Sequence, residues 1–174
     1  YVCRPEDPAS AKRGENIYLF IIKAIINEQI SGWNIESNRL KRKGNYFFSL
    51  NNKMIIGHLR SICILLFIYF LFGFSSILHF LLLAFIGKSL LETINYIEHY
   101  GLVREKDMPV FNRHSWNSDH TFSGLLLCNV TRHSDHHRAP NLKFWELDPN
   151  FKSAPTLPYG YLSMIYLLLF APFL

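Results

Sequence analysis

The sequence predicts an all-α integral membrane protein, a bundle of transmembrane helices, and two observations carry that expectation. Of its 174 residues, 49% are hydrophobic and 15 are phenylalanine, a mixture too apolar for a soluble domain of this size to bury. Residues 54–94 then run MIIGHLRSICILLFIYFLFGFSSILHFLLLAFIGKSLLETI, in which Arg60, Lys88 and Glu92 are the charged side chains. One crossing of a bilayer needs about 20 residues, so a stretch of roughly twice that length predicts two.

Taken in order, PEDPAS at 5–10 carries two prolines and reads as a turn. Residues 11–45 read as helix, with Ile17, Phe20, Ile21, Ala24 and Ile25 at helical spacing. Lys12, Arg13, Glu15, Lys23 and Glu28 interrupt any continuous apolar span, so this is an amphipathic segment rather than a crossing. Arg39, Lys41, Arg42 and Lys43 close it, and the positive-inside bias sets such a cluster on the cytoplasmic side. Residues 1–53 are therefore expected to be a cytoplasmic amphipathic segment. Residues 54–95 are expected to form a transmembrane helical hairpin, turned by FGFSS at 72–76. A hairpin that enters from the cytoplasm returns there, which sets His99 at the inner end of the second span.

Beyond Gly101 the chain becomes polar, with REKDMPVFNRHSWNSDH followed by TFSGLLLCNVTRHSDHH, the latter read as helix. Prolines at 140, 149, 155 and 158 then mark turns and loop. Residues 96–160 are expected to be a histidine-rich metal-binding region at the cytoplasmic face, and 161–174 the start of an incomplete apolar helix. A chain that opens on Tyr1 and stops within an apolar run is expected to be a piece of a longer protein.

Lysine and arginine exceed aspartate and glutamate by 18 to 13, a surplus that suits the cytoplasmic loops of a membrane protein. No compact basic stripe with interleaved aromatics is present, so nucleic acid is not an expected partner. Cys3, Cys63 and Cys128 are odd in number, far apart and without a C-x-x-C pair, which argues against a disulfide framework and a zinc knuckle.

Five of the eight histidines lie between 114 and 137. RHSDHH sets His133, His136 and His137 at i, i+3 and i+4, on one face of a helix. Neutral imidazole ligates zinc and iron readily, and three on one face can hold one metal or divide between two. Asp135 is expected to accept the other ring N–H of a ligand. Asn95, Glu98 and His99 end a lipid-buried helix, where ionisable groups are costly unless paired or functional. His114 and His120 are candidates to surround the ligands, Trp116 reads as a packing residue, and His58 and His79 read as hydrogen bonders at helix ends or between helices. H-E-x-x-H is missing, which disfavours zinc hydrolysis. An all-histidine cluster beside lipid suits iron, oxygen and a hydrophobic substrate better.

NYIEHYGLVR, HSWNSDH and RHSDHH, in order with RPEDPAS and LPYGY, resemble the C-terminal half of the integral-membrane alkane 1-monooxygenases, relatives of the fatty acid desaturases. The resemblance implies a helical bundle of the membrane desaturase/hydroxylase type, here truncated on its N-terminal side. It also implies two iron ions in a histidine-ligated diiron centre, with His99, His133, His136 and His137 as iron ligands. Further ligands would come from two earlier boxes, H-E-x-x-H and E-H-x-x-G-H-H, which this chain lacks, so the fragment alone is expected to be inactive. The implied reaction is terminal hydroxylation of straight, medium-chain alkanes to 1-alcohols with O2. Electrons come from rubredoxin and its NADH-dependent reductase, and Arg104, Lys106, Arg113 and Arg132 are expected to help rubredoxin dock. The implied location is the cell inner membrane, multi-pass, with the metal site toward the cytoplasm. Tyr96 and Tyr100 are expected to flank the site at interfacial depth. A xylene-type or other hydrocarbon hydroxylase and a fatty acid desaturase are the alternatives within the superfamily. A membrane protein that only binds metal is the alternative outside enzymes.

Overall fold

The computed structural model describes residues 2–148 and 153–172, and every regular element among them is helical. In chain order these are α1 (Ile17–Arg42), α2 (Lys53–Phe72), α3 (Phe74–His99), a 3-10 turn at Asn112–His114, α4 (Thr121–Leu126), α5 (His133–Arg138) and α6 (Tyr161–Phe170). The chain is an all-α membrane protein: α2 and α3 are long and apolar enough to cross a bilayer, and the apolar window of neither is buried by protein. Only helices and closed barrels satisfy every backbone group inside lipid, which is why so apolar a stretch folds this way.

The chain forms two compact units, Tyr1–Ala24 with Leu91–Leu174, and Ile25–Leu90. In the second, the two long apolar helices part at Gly73, whose φ of 80° lies in the region that favours glycine, and whose N–H donates to Tyr69 O at 2.8 Å. Asn52 caps α2, its Oδ1 accepting from the amides of Met54 at 2.9 Å and Ile55 at 3.3 Å. Lys88, one of the few charges in the apolar stretch, pairs with Glu28 at 2.5 Å. His58 stacks on Trp33, with ring centroids 5.5 Å apart, and His79 donates from Nδ1 to Ser75 O one turn back in its own helix. His79 therefore bonds within the opening turns of its own helix, near the end at Phe74, rather than across to another.

The other unit holds His99, His114, His120, His133, His136 and His137. Ile17, Phe20, Ile21 and Ala24, the apolar face read from the spacing, are buried, and Ile25 is half-buried. The helix starts later than residue 11 because Gly14 has a φ of 76° and Asn16 Oδ1 accepts from the amides of Tyr18 and Leu19, capping a start at Ile17. Tyr96 departs from the expectation of an interfacial ring. It is fully buried, edge-on to Phe20 at 5.3 Å, with its hydroxyl donating to Glu15 O at 2.5 Å. Tyr100 is half-buried and its hydroxyl accepts from Gly14 N at 2.7 Å. The last turns of α6 close on the start of α1 through Ile17 N to Pro172 O at 3.0 Å and Tyr18 Oη to Leu169 O at 2.7 Å.

Residues 121–137 are not one helix. Cys128 and Asn129 adopt left-handed φ values of 49° and 58°, and Asn129 N turns back to Gly124 O at 2.8 Å, so α4 stops and α5 starts afresh at His133. That break sets α5 as a separate short piece, oriented by what it packs against.

Candidate metal centre

α3 ends at His99, Gly101 with a φ of 68° turns the chain away, and the last carbonyls of the helix need partners. HSWNS supplies them: Trp116 N donates to Glu98 O at 2.9 Å, and Trp116 Nε1 donates to Tyr100 O at 3.0 Å. The neighbouring Asn117 exchanges backbone bonds with Pro155 and Leu157, both at 2.8 Å, and its Oδ1 accepts from Ser134 N at 2.9 Å and Ser134 Oγ at 2.8 Å. One short segment thus ties the end of α3 to the first turn of α5.

The result is a convergence of imidazoles. His133 Nε2 lies 3.2 Å from His99 Nε2 and 2.9 Å from His137 Nε2. One ligand atom from each of the three falls within 4.8 Å of the others. Two nitrogens held about 2.1 Å from one ion at roughly a right angle are about 3 Å apart, so this spacing fits a shared metal. Hydrogen bonding fits it less well, because one Nε2 offers a single proton or a single lone pair and here meets two ring nitrogens.

The tautomer of His99 is set from its other side. Its Nδ1 stands 3.2 Å from His114 O, which can only accept, so Nδ1 carries the proton and the lone pair sits on Nε2. Cys3 Sγ donates to the same carbonyl at 3.0 Å and lies 3.6 Å from His99 Nδ1. Burial pushes His133 well below the usual imidazole range, and repulsion from His99, His137 and His136 acts in the same direction. Burial, then the charges of His99 and His136, lower His137 to about 4. Both rings are therefore neutral at physiological pH, the state a metal requires.

The remaining candidates take different places. His136 is exposed, its ring 5.7 Å from those of His133 and His137. Asn95 donates to Glu92 at 3.2 Å. Glu98 is buried, with Oε2 3.1 Å from His133 Nε2. His114 contributes its carbonyl, while its ring Nδ1 accepts from Phe111 N at 2.9 Å. His120 is exposed at the start of α4. Asp135 receives Arg138 at 2.7 Å and Asp148 N at 2.8 Å, and none of its described contacts is a histidine ring. Among the four basic residues expected to meet an electron donor, Arg104 is buried against Val2 O and Met108 O, and Arg132 donates to Leu147 O. Lys106 and Arg113 stand exposed.

Sequence reasoning missed Cys3, Asn117, Ser134 and Tyr161. Tyr161 closes the LPYGY motif, which was a signal; Cys3 had none, being 96 residues from the histidine it meets.

The fatty acid desaturase family model matches residues 1–168. An alkane 1-monooxygenase of Acinetobacter baylyi is 42% identical over 169 residues, covering 92% of this chain and 40% of its own. Alkane 1-monooxygenase 1 of Pseudomonas aeruginosa is 36% identical over 99% of this chain and 46% of its own. The hydroxylase component of xylene/toluene monooxygenase from Pseudomonas putida is 34% identical over 91% and 42%. The chain thus spans less than half the length of these curated relatives.

Proposed function

Because this chain belongs to the fatty acid desaturase family, we propose that it works in a membrane hydroxylase that adds one oxygen atom of O2 to the terminal carbon of a straight, medium-chain alkane. The observation that carries the reading is the convergence of His99, His133 and His137 at the end of a helix whose apolar window is not buried by protein. An alkane dissolved in lipid can reach such a point without crossing water. The alkane 1-monooxygenases among its relatives support that substrate class.

Two iron ions are the proposed cofactor: His99, His133 and His137 hold one, and exposed His136 serves the second with donors beyond this chain. Bound iron supplies the oxidising chemistry, in which alkane, O2, two electrons and two protons become alcohol and water. The protein's part is to bind, orient and exclude. His114 O holds His99 in the tautomer that ligates, Asn117 holds α5, and the packing of Phe20 on Tyr96 keeps water from the helix end. Rubredoxin, reduced by its NADH-dependent reductase, is the proposed electron donor, drawn by Lys106 and Arg113 because rubredoxins are acidic. The proposed setting is the cell inner membrane, multi-pass, with the metal site toward the cytoplasm.

The likeness to the xylene/toluene hydroxylase component supports a second reading, hydroxylation of an aromatic methyl group. Cells expressing the full-length protein, offered octane or p-xylene under labelled O2, separate the two. Labelled 1-octanol is expected. A benzylic alcohol in its place moves the reading to the xylene type, a new double bond in lipid moves it to a desaturase, and no substrate-dependent oxygen uptake leaves a metal-binding protein.

A further inference from the structure

We propose that the turn between α1 and α2 is a docking surface for anionic phospholipid, in which cations at the end of α1 hold the headgroup and an aromatic loop enters the layer beneath it. Residues 37–91 contain Arg39, Lys41, Arg42, Lys43, Lys53, Arg60 and Lys88 and no aspartate or glutamate. The carboxylate just before that run, Glu36, is already committed. It is buried, its Oε1 accepts from Arg39 Nη2 and Lys53 N, both at 2.6 Å, and its Oε2 accepts from Arg39 Nε at 2.7 Å. Lys41, Arg42 and Lys43 are exposed, and none of them forms an ion pair among the described residues. Positive charge left uncompensated by the chain is complementary to an anion from outside it.

The loop that follows is built to face lipid. Gly44, with a φ of 67°, ends α1, and Asn45 N donates back to Leu40 O at 3.0 Å. The chain then returns to the helix it left, since Arg39 Nη2 donates to Asn51 O at 2.6 Å, and Asn52 Nδ2 donates to Phe47 O at 2.9 Å. Phe47 is turned toward Trp33, with ring centroids 5.7 Å apart, while Tyr46, Phe48 and Leu50 at the alternate positions are 86%, 86% and 75% exposed. Three large apolar side chains held outward on a hydrogen-bonded loop are costly in water. Their surroundings supply the alternative: α2 starts at Lys53, directly after the loop, and is apolar enough to cross a bilayer. The loop therefore stands where that span leaves the lipid, the depth at which aromatic rings are enriched and basic side chains meet anionic headgroups. Arg60, about two turns into α2 and exposed, has a stem long enough to reach back to the same layer. An acidic protein would satisfy the cations, but it would have to cover aromatic side chains that the adjoining bilayer already accommodates.

The full-length protein carries bimane on exposed Asn51→Cys, in a background whose other exposed cysteines are serine, and is reconstituted in vesicles of phosphatidylcholine and phosphatidylglycerol in equal amounts. Quenching is compared when a nitroxide is carried on the shallow acyl positions of one lipid or of the other. At about fivefold per cation, Lys41, Arg42 and Lys43 should enrich phosphatidylglycerol at the loop roughly 10- to 100-fold at low salt. Lys41→Gln, Arg42→Gln and Lys43→Gln together should bring the two lipids close to parity. Salt gives the same test without a variant, because about 1 M NaCl cuts the screening length to about 3 Å and should remove the preference. Tyr46→Ser with Phe48→Ser should lower quenching by both lipids and leave their ratio in place. Equal quenching by the two lipids in the unaltered protein overturns the inference, as does a preference that survives either the glutamines or the salt. Unchanged quenching in the serine variant overturns the aromatic half of it, and quenching by neither lipid takes the loop out of the membrane altogether. Absence of any lipid preference, together with slower reduction by rubredoxin in the glutamine variant, would give the surface to an acidic protein instead.

Discussion

Replacing Asn117 with alanine tests whether α5 is held by its neighbours rather than by itself. The helix has six residues, and isolated helices shorter than about 12–15 residues are marginal in water, so its position depends on tertiary anchors. Asn117 Oδ1 accepts from both Ser134 N and Ser134 Oγ, and all three atoms belong to buried residues. The alanine leaves two buried donors unpaired at about 1–3 kcal/mol each, so about 2–4 kcal/mol against the docked helix once partial relaxation is allowed. The backbone bonds of residue 117 to Pro155 and Leu157 are unaffected. At about 1.4 kcal/mol per tenfold, cobalt affinity should fall roughly 30- to 1000-fold as His133 and His137 lose their register with His99. Ser134→Ala removes one of the two bonds and leaves no orphan donor, so about 1 kcal/mol and a roughly fivefold loss are expected. Chelator competition on both purified variants, with a check that each inserts in membranes, gives the comparison. Asn117→Ala binding cobalt as tightly as Ser134→Ala would refute the reasoning.

His136→Ala should halve the iron content of the full-length protein and spare the ion held by His99, His133 and His137; full occupancy would remove His136 from the ligands. Burial, assisted by the charge of Asp7 and only partly opposed by Ser10 and Arg104, pushes the Cys3 thiol up to about 11. Its reaction with iodoacetamide at pH 8 should therefore be at least about 100-fold slower than that of exposed Cys128 and should speed up with pH. Equal rates would contradict the packing of Cys3 on His114 O. Since the folded-state values of His133 and His137 are lowered, the metal-free protein has its full stability above the ordinary histidine value of 6.5 and loses it as pH falls toward about 4. The unfolding midpoint of stripped protein should drop across that window, and a flat profile would count against the buried, neutral pair. Asn45→Cys and Val103→Cys should both resist an impermeant maleimide outside intact cells and react after permeabilisation; protection of only one would place the ends of the two spans on opposite sides.

The sequence by itself determined what depends on local pattern. The length and apolarity of residues 54–94 dictate two helices, because a backbone in lipid must satisfy its own hydrogen bonds. The spacing of Ile17, Phe20, Ile21 and Ala24 names the buried side of α1, and the i, i+4 relation brings His133 to His137. Tertiary structure decided which groups meet across the chain. It chose His137 over His136 to face His99, because α5 is docked through Ser134 on Asn117. Left-handed Cys128 and Asn129 cut the helix read at 121–137, and Tyr96 went to the core because the start of α1 covers it. Cys3 and Tyr161 reach the site from positions 96 and 62 residues away from His99. Periodicity fixes the direction of a side chain around its own helix axis, whereas such meetings follow from how separate elements close on one another, and no local spacing encodes that.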